Sequence, residues 1–161
     1  MLILRLDEET VVVTGLNLAL CKLIQQIPAC AEIDDDAARE RLYSSPSEGA
    51  MPELDSDWKS FVEPDLRQLF QSSVEVVKED LAEFPPSEAE LFYTLQIPFK
   101  HLANWINVLN QARLALGAHY AITEQDMENE PETHDDRSHA IVRIHIYGEL
   151  QARFLRVLDG V

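Results

Sequence analysis

Asn110 and Arg113 are the side chains whose types and spacing best suit ligand chemistry. Residues three apart share one face of a helix, and a planar guanidinium suits a carboxylate or phosphate ligand. A structural role is the alternative, with Arg113 paired to an acid such as Asp80 or Glu149 while Asn110 holds a backbone group. The chain is rich in acids that could pair with Arg113, so the structural interpretation is favoured. The alternative is a ligand pocket with Arg113 in its wall.

The two cysteines, Cys21 and Cys30, are candidates for a regulatory disulfide. A disulfide needs Cα atoms within about 7 Å of each other, and the sequence alone does not fix that distance. An unpaired cysteine on the apolar face of a helix usually packs as a small core residue. The core role is therefore favoured, and a redox role is the alternative.

An acidic stretch near the end of the chain brings together histidines and aspartates: His134, Asp135, Asp136, His139 and His145. Their spacing matches neither zinc sites nor the calcium loop. The sequence also lacks phosphate-binding glycine patterns and the GxSxG, HExxH and CxxC motifs. We therefore predict no metal, no cofactor and no catalytic residue. The alternative is an enzyme or metal-binding protein using carboxylates and histidines around Arg113 or His134.

One long helix, residues 99–120, organises the predicted fold. Apolar residues recur along it at three- and four-residue spacing: Leu102, Trp105, Ile106, Leu109, Ala112 and Leu116. Further apolar residues leave little solvent face, which is typical of a helix packed on several sides. The same helix carries polar side chains that then need partners on other elements: Asn104, Asn107, Asn110, Gln111 and Arg113.

A small antiparallel β element is predicted at 2–6 and 10–14, where β-branched and alternating apolar residues flank a polar turn. A lone hairpin is marginal, so a third strand is expected. Residues 91–97 alternate as a strand does, although a helical turn at 87–90 fits the capping pattern. The strand interpretation is favoured.

Four more helices are predicted, at 16–27, 37–43, 58–84 and 138–158. Pro64 either kinks the helix predicted at 58–84 or marks its start. Residues 141–147 also alternate like a strand, but the helical spacing extends much further. We expect Gly148 to allow close approach of another helix. Together these elements predict a single α+β domain, mainly α, over residues 1–161: a helical bundle around 99–120, with mobile loops at about 44–57 and 128–138.

The net charge of the chain limits the classes of molecule that it can bind. The chain has 29 acidic residues against 13 lysines and arginines, a formal net charge of −16. Such a chain is repelled by phosphate backbones and anionic lipid, and it would suit a basic protein partner. Charges interrupt the first apolar residues, and no apolar run approaches the roughly 20 residues of a membrane span. We expect a cytoplasmic protein.

The final helix carries more apolar residues than one stripe can turn inward: Ile141, Val142, Ile144, Ile146, Tyr147, Leu150, Phe154, Leu155, Val157 and Leu158. Large exposed apolar patches usually mark interfaces. The sequence therefore predicts a homodimer, built partly from this helix.

The stretch WINVLNQARLALGAHYAITEQDM, best matched over 105–127, resembles a bacterial domain-of-unknown-function family, as does YGELQARFL near the end. The family includes the actinomycete oxidative-stress-regulator type, and its genes often lie near that of the Clp protease adaptor. The motif residues here are Trp105, Leu109, Asn110, Arg113, Leu114, Leu116 and Gly117. The resemblance implies a mostly helical domain with a small β element, no established enzymatic activity and a stress-related regulatory role. We therefore expect a non-enzymatic interaction or regulatory protein.

Overall fold

The computed structural model describes residues 1–85, 90–129 and 135–160. Three strands form one antiparallel sheet: β1, Leu2–Arg5; β2, Thr10–Leu16; and β3, Tyr93–Pro98. The eight helices in these ranges are α1 Leu18–Gln25, α2 Ile27–Ala31, α3 Asp36–Leu42, α4 Pro52–Asp57, α5 Glu63–Leu81, α6 Leu102–His119, α7 Glu124–Glu128 and α8 Asp136–Asp159. The predicted fold class, α+β and mainly α, is confirmed.

The sheet has the order β1-β2-β3, with Leu4 opposite Val12 and Val12 opposite Gln96. The third strand that the hairpin required is present, two residues shorter at its start than predicted. One face of the sheet enters the core through Ile3, Val11, Val13, Leu95 and Ile97. The β2–β3 register shifts between Val13 and Leu16, where Gly15 adopts a φ of 70°. Glycine accepts this left-handed conformation without strain, so β2 continues past it rather than ending there.

α6 is the predicted central helix, and it packs against α2, α3, α5 and α8. A 3-10 turn, Phe99–His101, replaces the first turn of the predicted 99–120 helix. The buried residues of α6 are Leu102, Trp105, Val108, Leu109, Gln111, Ala112, Ala115 and Leu116. A helix covered on this many sides must be apolar almost all round, which explains its sequence.

Two prolines lie in the first turns of helices, and for Pro64 this is one of the two predicted positions. Pro28 does not end the first helix; it lies in the first turn of α2, where the missing N–H costs no helical hydrogen bond. Pro64 lies likewise in the first turn of α5, directly after a π-helical segment, Trp58–Val62. The wider π turn joins α4 to α5, so the chain remains helical through Pro64 instead of breaking there.

The predicted loops are shorter in the structure. The segment at about 44–57 contains α4 from Pro52 onward, and the segment at about 128–138 is entered by α8 at Asp136. Residues 130–134 of the second segment lie outside the described residues. Helix, not strand, is confirmed for 141–147, and α8 ends at Gly160 with a φ of 75°, the left-handed cap that a glycine permits.

Leu109→Ala should lower the free energy of unfolding by about 2–5 kcal/mol, because Leu109 is fully buried at the centre of α6. Urea titration with a two-state fit measures the change. The control variant is Leu91→Ala, because the Leu91 side chain is 85% exposed. A loss for Leu109→Ala no larger than that for Leu91→Ala would contradict the central position of α6.

Candidate functional site

Arg113 joins α6 to α8. Its Nη1 donates a hydrogen bond to Oε1 of Gln151, at 2.6 Å. A Cβ added at Gly148 would lie 3.4 Å from Arg113 Nε, so this glycine makes room for the guanidinium. The close approach predicted for Gly148 is therefore made by a side chain of the neighbouring helix. The predicted acid partners of Arg113 were wrong: Glu149 pairs with Arg153, at 2.6 Å, and Asp80 has other partners.

The same guanidinium borders a small cleft. Asn110 is exposed and lines this cleft of about 220 Å³ together with Arg113, Glu124, Met127 and Ile144. Within the described ranges, no carboxylate forms an ion pair with Arg113, and its buried Nε lacks a hydrogen-bond partner. The structure thus combines the two interpretations of Arg113: a structural bond to Gln151 and a position in a cleft wall. The negative charge of Glu124, which lines the same cleft, would repel an anion bound beside Arg113.

Cys21 and Cys30 are both buried free thiols. Burial raises the pKa of each, although the nearby Tyr147 hydroxyl partly offsets the effect at Cys30. Sγ of Cys30 lies 3.8 Å from the Tyr147 hydroxyl, which itself donates to the carbonyl of Leu23 at 2.8 Å. This chain of contacts connects α1, α2 and α8, and it gives Cys30 a packing role.

Asp135, Asp136 and His139 of the histidine and aspartate stretch lie at the start of α8. Asp135 caps the helix by accepting a hydrogen bond from the Ser138 backbone N–H at 2.8 Å. His134 lies outside the described residues, so the structure does not place it. The residues described contain no group of three histidine, cysteine, aspartate or glutamate side chains arranged to hold a metal.

Sequence reasoning missed a largely buried polar cluster at the start of α6. Asp80, at the end of α5, accepts a hydrogen bond from Trp105 Nε1 at 2.8 Å, and His101 Nδ1 lies 2.9 Å from its other oxygen. The Asp80 side chain is only 7% exposed. The four-residue spacing of His101 and Trp105 puts both on one side of the α6 start. Nothing in the sequence shows that Asp80, twenty-one positions away from His101, faces them.

This arrangement fixes the imidazole in a defined orientation. Because a carboxylate accepts but does not donate, the Nδ1–H of the ring is the donor towards Asp80. A histidine oriented by an aspartate is the arrangement that general bases use. Asp80 also borders an open groove of about 750 Å³ at the ends of β2 and β3, together with Phe99 and Lys100.

Asp80→Ala should lower the free energy of unfolding by about 1–3 kcal/mol, because the buried Trp105 N–H would lose its acceptor. Asp80→Asn should cost less, since the amide oxygen can still accept from Trp105. The exposed neighbour Glu79 gives the matched control, with Glu79→Ala expected within about 0.5 kcal/mol of the unchanged protein. Equal losses for the Asp80 and Glu79 variants in urea titration would show that the cluster is not structural.

Both thiols should react slowly with an alkylating or disulfide reagent in the folded protein at mildly alkaline pH. Burial limits access, and a raised pKa keeps each thiol protonated and weakly nucleophilic. Thiol titration with and without denaturant measures the difference. Rapid labelling of either Cys21 or Cys30 in the native state would instead favour the redox role.

None of the helices in the described ranges combines the length and apolar character needed to cross a membrane. No curated protein and no solved structure matches the chain. Residues 7–158 match DUF2017, a domain of unknown function. The match covers nearly the whole chain, including strands β2 and β3, the Asp80 cluster and the Arg113 contact, and it begins after β1. The protein therefore belongs to the DUF2017 family.

Proposed function

We propose that this chain is a non-enzymatic regulatory protein of the cytoplasm that acts through protein–protein contacts, beginning with a homodimer. The stress-related role implied by the sequence resemblance fits this proposal. A catalytic role has less support because the polar clusters are engaged in structural bonds: Arg113 with Gln151, and Asp80 with Trp105 and His101. The Asp80–His101 pair beside the groove is the feature that most favours the alternative, an enzyme.

The observation that carries the proposal is a row of leucines on the outer face of β1. Leu2, Leu4 and Leu6 are 51%, 48% and 65% exposed, whereas Ile3 between them is buried. Alternate residues of a strand share one face, so Leu2 and Leu4 of the edge strand, with Leu6 just after its end, form an apolar row. Exposed apolar rows of this kind usually mark interfaces.

The row suits a second copy of the same chain. In a two-fold symmetric contact the same surface serves both copies, so Leu4 lies near the axis and Leu2 of one copy meets Leu6 of the other. Asp7, Glu8 and Glu9 follow the row directly, and the net charge of −16 repels the two copies from each other. Salt screens this repulsion, but it leaves the apolar contact intact, so the dimer is tighter at high ionic strength.

Helix α8, which the sequence predicted to form part of the dimer interface, offers less exposed apolar surface. Of its apolar residues, Ile141, Ile144, Tyr147, Leu150 and Phe154 are buried within the chain's own core. Val142, Leu155 and Leu158 remain about two-fifths exposed, at 40%, 41% and 43%. Because the core already covers most of α8, the β1 row is the better candidate for the dimer interface.

Size-exclusion chromatography coupled to light scattering at micromolar concentration tests the proposal. We expect a dimer mass, a larger dimer fraction at high salt, and a shift to monomer for Leu4→Gln. Leu155→Gln is the control on α8, with similar exposure, and it should leave the dimer intact. A monomer at both low and high salt would reject the homodimer. Loss of the dimer in Leu155→Gln alone would place the interface on α8 and reject the β1 row.

A further inference from the structure

A second cleft, unrelated to the β1 row, lies between α3 and α5 with α6 behind it. Its volume is about 370 Å³, and its polar wall includes Gln111 of α6. Gln111 is 3% exposed, and its Nε2 is buried without a hydrogen-bond partner among the described residues. Buried donors are almost always paired, so an unpaired amide at the wall of a cleft indicates an acceptor that the chain itself does not provide.

The apolar walls of this cleft suit a flat molecule. Tyr43 and Phe70 line it, with ring centroids 5.7 Å apart and planes tilted by 37°. Leu42 and Val74 add aliphatic surface beside them. Aromatic and aliphatic walls with a few directed polar groups are typical of small-molecule sites, and this volume is at the small end of their range. A single substituted ring is the size that fits.

The charges around the cleft are matched within the chain. Arg39 pairs with Asp34 at 2.8 Å, and Lys78 pairs with Glu32 at 2.7 Å. Arg67 pairs with Glu63 at 2.7 Å, and its guanidinium also lies 3.9 Å from the centre of the Tyr43 ring. A bound anion would have to compete with these carboxylates in a chain of net charge −16. The charge balance therefore favours an uncharged ligand.

We propose that this cleft binds an uncharged planar molecule with an amide-like edge, held by a hydrogen bond from Gln111 Nε2. A glutamine amide carries a donor beside an acceptor, so it complements a carbonyl that has an N–H next to it. Carboxamides of aromatic rings and the pyrimidinone type of nucleobase have this edge. The inference does not depend on the homodimer, since none of the cleft residues belongs to β1.

Nicotinamide and uracil are the probes, and nicotinate is the matched control because it differs from nicotinamide mainly in carrying a negative charge. We expect nicotinamide, uracil or both to raise the melting temperature of the intact protein saturably, since a ligand of the folded state stabilises it. Nicotinate should bind at least about tenfold more weakly. Failure of both uncharged probes, or nicotinate binding as tightly as nicotinamide, would overturn the proposal.

Gln111→Met tests the hydrogen bond directly. Methionine is similar in length and leaves no unpaired donor, so the variant should melt no lower than the unchanged protein. Affinity for the bound probe should fall about fivefold or more, as expected for losing one hydrogen bond. Gln68→Met on the exposed side of α5 is the control and should bind normally. Unchanged affinity in Gln111→Met would overturn the proposal.

A second measurement covers the case in which Gln111→Met folds poorly. In the unchanged protein, the side-chain NH2 signals of Gln111 can be followed by 15N nuclear magnetic resonance during titration with the probe. We expect these signals to move in step with the melting-temperature shift. If the signals stay fixed while the probe saturates, the probe binds elsewhere, and the assignment to Gln111 is overturned.

Discussion

Burial of α6 on several sides is the constraint on which the other elements depend. Because α2, α3, α5 and α8 all pack against this helix, each must present an apolar face towards it. Trp105 meets Phe154 of α8 edge to face, with ring centroids 5.9 Å apart, near the middle of the core. The sheet adds one apolar face to the same core, with β1 against α8. The outer face of β1 is then free for another contact.

The same constraint explains where polar chemistry collects. A helix with little solvent face must satisfy its polar side chains against other elements: Ser73 bonds to Asn104 at 3.1 Å, and Gln151 accepts from Arg113. Asp80 is drawn inward because Trp105 needs an acceptor. Two buried donors of α6 lack a partner in the described part of the chain, Gln111 Nε2 and Arg113 Nε, and Arg113 is already held by Gln151. The cleft beside Gln111 is therefore the stronger ligand candidate.

Patterns local in sequence were predictable, and contacts between distant residues were not. Apolar periodicity identified α6 and α8, and the caps at Asp35 and Thr123 are of residue types that N-caps favour. The π-helical segment before Pro64 leaves no distinct sequence signal. The partners of Arg113 and Asp80 depend on how helices are rotated against each other. A glutamine in a run of apolar residues does not reveal whether its amide is paired, because that depends on neighbours from other elements.

The pairing of β2 with β3 has a consequence for the order of folding. Val11 lies opposite Ile97, so the sheet closes around the whole segment that carries α1 to α5. Closing so long a segment costs chain entropy before its contacts can compensate, which makes the sheet a late event. The β1–β2 hairpin is synthesised before β3 but is marginal by itself. Until β3 arrives, it presents apolar surface on both faces, so the newly made chain depends on rapid collapse of its helices to avoid aggregation.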